Sequence, residues 1–309
     1  EPKTSCLDNG GPSDLMAKST AWRRPPTPLL IGLMIFVAYP VCASLYYSLT
    51  NYDVLRKASF VGLRNYQELL TGDKVFTRSI QNTLYMVVIA LPLGLMLNFL
   101  VALLLNSKIR FMAFYRTLFY LPSITPAVAT AMLWLWMLNP QYGLLNSLLY
   151  KIGVIGPGWL SDPAWSKPAL SLVGLWKGGN AILVYLAGLQ DVPVDLYEAA
   201  EIDGARPLRK TLHITLPMVS PVIFFNLIMG LIGYFQYFTE AYIMTYSNGG
   251  QLGAPAESTM FYATYLYQNA FIFFKMGYAS AQAWLLYLMI MLCTVLLFKT
   301  SDWVYYGGQ

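Results

Sequence analysis

Tyr278-Ala-Ser-Ala-Gln-Ala-Trp-Leu-Leu-Tyr-Leu-Met-Ile-Met-Leu-Cys-Thr-Val-Leu-Leu-Phe-Lys299 carries no charged side chain before its last residue. A hydrocarbon core of about 30 Å, crossed at about 1.5 Å per residue, takes about 20 mostly apolar residues. The stretch is therefore long and apolar enough to be a transmembrane helix. Working outward, further runs of the same kind lie approximately at 28–49, 78–105, 111–138, 168–189 and 218–246. The whole chain agrees: of 309 residues, 57% are hydrophobic and 11% charged, with a mean hydropathy of +0.50. Soluble domains carry about a quarter charged residues, so a soluble enzyme of ordinary composition is excluded. The expectation is an all-α integral membrane protein with six transmembrane helices, the last at 278–299.

The run at 28–49 is too long for the apolar part of a signal peptide and lacks a clean small-residue cleavage site, so it reads as a retained span. Residues 1–24 are polar and read as a disordered cytoplasmic tail, and Met16-Ala-Lys resembles a translation start, which leaves open whether 1–15 are native or an extension. Cys6, Cys42 and Cys293 are too scattered for a disulfide framework. With His213 as the single histidine, neither a multi-histidine metal site nor a histidine-based triad relay can be assembled.

Lys and Arg near span ends favour the cytoplasm. Lys3, Lys18, Arg23 and Arg24, then Lys108, Arg110 and Arg116, then Arg206, Arg209 and Lys210, and finally Lys299 fall on one side. The other side owes most of its cations to one loop, where Arg56, Lys57, Arg64, Lys74 and Arg78 alternate with Asp53, Glu68 and Asp73. Both termini are thus expected in the cytoplasm. Two outer segments have their own character: residues 62–70 read as a short amphipathic helix, and 139–167 holds Trp159 and Trp165, suited to a membrane interface.

The most charged of the cytoplasmic loops is 191–217: Asp191-Val-Pro-Val-Asp-Leu-Tyr-Glu-Ala-Ala-Glu-Ile-Asp-Gly-Ala-Arg-Pro-Leu-Arg-Lys-Thr-Leu-His-Ile-Thr-Leu-Pro217. Asp195 with Glu198 three residues on suggests a capping box and a helix from Leu196. Gly204 suits a left-handed stop, and Pro207 suits the first turn of a second helix. Such charge runs are commonly just solvated connectors. Here Ala199, Ala200 and Ala205 leave a low surface that another backbone could approach, and Leu208 and Leu212 offer an apolar ridge to a groove.

Glu198-Ala-Ala-Glu-Ile-Asp-Gly204 followed by Ile214-Thr-Leu-Pro217 resembles the EAA motif of permease subunits of binding-protein-dependent ABC importers. Gly62-Leu-Arg-Asn-Tyr66, Asn82-Thr83, Leu121-Pro122, Trp159-Leu-Ser-Asp-Pro163, Asn248-Gly-Gly250 and Lys299-Thr-Ser-Asp-Trp-Val-Tyr-Tyr306 are similar to the maltose-type and glycerol-phosphate-type carbohydrate permeases. The resemblance covers 25–306 and implies a type I importer permease in a bacterial or archaeal inner membrane. It further implies a second homologous permease, two cytoplasmic ATPase subunits that bind ATP and Mg, and an extracytoplasmic solute-binding protein that delivers a sugar or sugar derivative. Under it the 191–217 loop is the coupling helix, held in shape and place by Glu198, Ala199, Asp203 and Gly204. Thr211 stands where the family often has a bulky aromatic residue, which shifts the expected anchor to Leu208 or Leu212.

Polar groups inside the spans are expensive and seldom face lipid. Lys177 lies in Trp176-Lys-Gly-Gly-Asn180, where two glycines weaken the helix; the fifth run adds Asn226, Tyr234, Gln236, Tyr237 and Glu240. Gln236 and Glu240, four apart, are expected on one helix face. Lys177, Gly178, Asn180, Tyr234, Gln236 and Glu240 are therefore candidates for a sugar pathway, since hydroxyls take hydrogen bonds from polar side chains while rings cover sugar faces. The resemblance places Lys177, Gly178 and Gln236 at positions matching the maltose-type site. The other reading is that these groups bond to neighbouring helices, Lys177 to Glu240 among them. Asn82, Asn98, Gln282, Pro40, Pro92, Pro122 and Pro126 are expected as packing and kink features. No GxxxxGK[ST] run or catalytic constellation is present, so no ATP or other cofactor is expected on this chain, and no nucleic-acid partner. A gradient-driven secondary transporter or channel would show more intramembrane carboxylates than Glu240 or a repeat of broken helices, and is the second reading.

Overall fold

The computed structural model describes residues 27–54, 57–107 and 109–305, so the tail at 1–24 lies outside the described residues. The described chain is helical, with one isolated bridge between Thr50 and Phe60. The first two of four helices long and apolar enough to cross a membrane among the described residues are α1 (Leu30–Ser48) and α3 (Lys74–Leu105), with a short helix α2 (Arg64–Thr71) between them. Two bent pairs follow: α4 (Met112–Ile124) with α5 (Ala127–Met137), then, beyond the short α6 (Leu144–Lys151), α7 (Pro163–Trp176) with α8 (Gly179–Gln190). After α9 (Val194–Ile202) and α10 (Pro207–Lys210) the span Ser220–Tyr246 runs through α11 (Ser220–Phe235) into α12 (Thr239–Gly249). The chain closes with α13 (Tyr262–Tyr267) and α14 (Met276–Lys299). Counting each bent pair once gives six spans.

Three expected rods are not straight. The 111–138 run turns by 100° between Ile124 and Ala127, because Pro126 denies the helix a donor and holds Thr125 extended at ψ 133°. The 168–189 run starts earlier, at Pro163, where the Asp162 carboxylate accepts the Ala164 N–H, and bends by 48° at Lys177-Gly178. The fifth run breaks at 236–238.

Three other prolines each follow a widened turn. The turns Met34–Ala38, Met86–Ala90 and Thr211–Thr215 are π-helical, and each ends two residues before a proline: Pro40, Pro92 and Pro217. A proline ring would strike the carbonyl four residues back. Widening the turn moves that carbonyl aside, and Tyr39, Leu91 and Leu216 donate five residues back, to Met34, Met86 and Thr211.

α8 packs along the second half of α3, α14 along Tyr39–Ser48 of α1, and α12 across α5. Buried side chains gather in three clusters, around Tyr262 and Leu69, around Trp134 and Met244, and around Tyr185 and Val219. At the end opposite 191–217, loops are tied by polar groups. Asp73 caps α3 by accepting the Phe76 N–H at 2.9 Å, and its other oxygen accepts the hydroxyls of Tyr265 and Tyr278 at 2.5 and 2.6 Å. Asn82 donates to the carbonyls of Glu257 and Met260 and accepts from Lys167 at 3.1 Å. Asp73→Ala removes a cap and leaves two tyrosine hydroxyls without their acceptor, so a stability loss of about 3 kcal/mol is expected. Thermal unfolding in detergent reads it, and an unshifted midpoint would show that the three elements hold together without Asp73.

Candidate functional site

The loop between α8 and α11 is a rigid projection rather than a slack connector. α9 begins at Val194, two residues before the expected start, with Pro193 at the cap and no side-chain cap bond, so the Asp195–Glu198 capping box does not form. Proline supplies the extended entry geometry that the box would otherwise fix. The other end matches its sequence signal. Gly204 is left-handed at φ +71°, the Ala205 N–H bonds to Ala200 O at 2.9 Å, and the Gly204 N–H to Glu201 O at 3.0 Å. These two bonds close a Schellman motif and satisfy the helix's last carbonyls. Pro207 opens α10 as its sequence position suggested.

Two side-chain ties stiffen the projection, one from α9 to the chain leading into α11 and one between α9 and α10. The Tyr197 hydroxyl lies 2.8 Å from Thr215 Oγ1, and Lys210 Nζ lies 2.6 Å from Glu201 Oε1. The hydrogen bond from Lys210, and then its charge, hold the Glu201 carboxyl below the usual carboxylate range. Val192 and Val219 anchor the base in the core. Beyond the base, Glu198, Ala199, Asp203, Gly204, Leu208 and Leu212 are all exposed, and Ala200 is half-buried. Ile202 stands 88% exposed at the tip, a side chain the sequence reading passed over. Its signal was its place in the last turn of a helix otherwise lined with acids.

Inside the bundle the structure brings together the two charges. Lys177 Nζ lies 2.8 Å from Glu240 Oε1, with the side chains 24% and 14% exposed. Both charges sit at broken ends: Lys177 caps the C-terminus of α7, and Glu240 is in the first turn of α12. A cation at a helix C-terminus and a carboxylate at an N-terminus are each favoured by the peptide dipoles. Tyr234 and Tyr237 flank this region, their ring centroids 6.3 Å apart, and pack with Ala241 beside Glu240. The Tyr234 hydroxyl lies over Gly174, where an added Cβ would come within 3.3 Å of it.

Other candidates are placed differently. Gln236 is exposed in the break after α11, so it shares no helical face with Glu240, contrary to the four-residue spacing. Asn180 is exposed on the first turn of α8. Asn226 donates to Val222 O in its own helix, a packing role. Gly178 faces Asn98, whose side chain occupies the space a Cβ would need. Asn98 also lines a cavity of about 630 Å³ between α3, α4 and α7, together with Trp134 and Trp176, whose ring centroids are 5.9 Å apart. Sequence reasoning filed Asn98 under packing because nothing local links it to Gly178. Among the described residues no cluster of His, Cys, Asp or Glu could hold a metal.

Comparison with known proteins gives this architecture a family. Residues 75–306 match the model of the binding-protein-dependent transport system inner membrane component. The chain is 39% identical over 310 residues, 97% of its length and 99% of the other's, to the probable ABC transporter permease protein YesP of Bacillus subtilis (strain 168). It is 34% identical over 280 residues, 89% and 91% of the two lengths, to the lactose transport system permease protein LacF of Rhizobium radiobacter. Its fold superposes, at 24% identity and a TM-score of 0.78 over 94% of this chain and 95% of the other, on a chain of a bacterial alginate ABC transporter solved in complex with an alginate pentasaccharide-bound periplasmic protein. With most of its length matched, the chain belongs to the family of binding-protein-dependent transport system inner membrane components.

Proposed function

We propose that this chain is one of two homologous permease subunits of an ATP-driven importer for a sugar or sugar derivative, with both termini and the 191–217 loop in the cytoplasm. An extracytoplasmic binding protein delivers the solute, and two ATPase subunits, which carry the ATP and Mg, grip α9 and α10. The projection's stiffness carries this reading. A helix closed by a Schellman motif, tied back through Tyr197 and Lys210, can pass ATPase closure to α8 and α11 as a rigid-body motion. Ile202, Leu208 and Leu212 are the apolar anchors, and Glu198, Asp203 and Gly204 shape the turn. The solute passes Lys177, Gly178, Tyr234 and Glu240, where the spans are broken; Asn180 and Gln236, both exposed, line the approach.

The test is a cysteine at position 202 in the assembled transporter. Ile202→Cys should crosslink to an ATPase subunit, in proteoliposomes where loaded binding protein stimulates hydrolysis. Adducts confined to lipid or to this chain's own turns, in an actively transporting preparation, would refute the coupling role.

A further inference from the structure

α6 and the turn after it present a surface of the opposite kind to α9. The chain from Asn139 to Ser161 contains one charged residue, Lys151, where α9 and its stop contain five between Asp195 and Arg206. Leu144, Leu148, Ile152 and Ile155 form one exposed stripe, flanked by exposed Tyr142 and Tyr150; Ile155 is 91% exposed and Tyr150 78%. The segment cannot roll this stripe inward. Leu145, about 100° round the helix from Leu144, packs inward with Ala131 and Leu160. Asn146 donates to the carbonyls of Pro140 and Pro157 and accepts the Trp159 indole N–H at 2.7 Å, and the Val154 N–H bonds back to Leu149 O at 2.9 Å. The apolar face is thus built, oriented and left uncovered by the chain itself.

We infer that residues 144–155 lie in the bilayer's interfacial layer, on the side opposite the 191–217 loop, with this stripe against the acyl chains. The inference rests on membrane insertion alone and not on the transport reading. Tyr142, beside the stripe, lines a groove of about 350 Å³ with Met132 and Trp136, so this segment abuts the exposed side of α5, one half of a bent span. Tyr142 and Tyr150 are amphipathic rings of the kind found at headgroup level, and Lys151 can reach outward to phosphate. A soluble partner that docks and leaves would return this surface to water in every cycle. Each such return of apolar surface to water is unfavourable, whereas lipid covers it permanently.

The experiment places a bimane label on Ile155→Cys, and separately on Tyr150→Cys, with Cys6, Cys42 and Cys293 replaced by serine and Lys57→Cys as the water-facing control. The assembled transporter is put in phosphatidylcholine nanodiscs with or without brominated acyl chains, and no binding protein is added. A face seated about 5–10 Å into the boundary should lose about half its emission to brominated lipid and stay largely unaffected by iodide, with Lys57→Cys the reverse. Quenching by iodide overturns the inference, whether or not loaded binding protein then shields the label, since the surface would then be a docking site. A label reached by neither quencher also overturns it, because another subunit would then cover the stripe.

Discussion

Replacing Lys177 by alanine is expected to lower uptake in proteoliposomes by about tenfold or more and to destabilise the subunit by about 3 kcal/mol. The damage comes from the residue left behind. Glu240, 14% exposed and 2.8 Å from Lys177 Nζ, would be left in the middle of a bundle without its partner. Removing both charges should therefore hurt stability less than removing one, so Lys177→Met with Glu240→Gln is expected to recover most of the loss in thermal unfolding. The exchanged pair, Lys177→Glu with Glu240→Lys, separates two contributions. It restores the mutual attraction but puts a carboxylate at the C-terminus of α7 and an ammonium at the N-terminus of α12. Each misplaced charge forfeits about 0.3–1 kcal/mol, so rescue should be incomplete. Normal uptake and an unchanged unfolding midpoint for Lys177→Ala would remove the pair from both the fold and the pathway.

Gly204→Val is expected to abolish stimulation of ATP hydrolysis by loaded binding protein while the subunit remains inserted and stable. Nothing lies within 4 Å of the position a Cβ would take there, so crowding is not the cause. The backbone angle is: at φ +71° an L side chain costs about 1–2 kcal/mol, and more when it is branched at Cβ. The Schellman bonds would open and α9 would swing relative to α10. Gly204→Asn is the control, because asparagine tolerates the left-handed region and adds similar bulk. It should retain most of the stimulation. Equal loss in both variants would point to a contact at Gly204 rather than to its conformation.

Much of this was legible because it is written in local chemistry. Gly204 and Pro207 punctuate the loop wherever it packs, since one supplies a positive φ and the other a fixed one. The break after Lys177 was foreshadowed by two glycines, and the six runs by length and hydropathy. What escaped depends on partners far away in sequence. Gln236 and Glu240 looked like one face because four-residue spacing assumes an unbroken helix, and the break between α11 and α12 has no glycine or proline to announce it. Asp195 looked like a cap, but Pro193 already sets the entry. Pro126 and Pro40 carry the same local signal, yet one turns the chain by 100° and the other is absorbed in a π turn. No spacing rule distinguishes them.

That last device sets rotational phase. Each widened turn takes up one residue that an α-helix would have spent as about 100° of rotation, so everything beyond it is clocked back by that angle. In α3 the turn at Met86–Ala90 lies just before Gly94, which packs beneath Tyr234, and Asn98, which fills the space beside Gly178. Deleting a single residue there would leave length and hydropathy almost untouched. It would also swing Gly94 and Asn98 off the bundle and toward the lipid, so the azimuth of the second half of α3 is stored in the five consecutive residues Met86–Ala90.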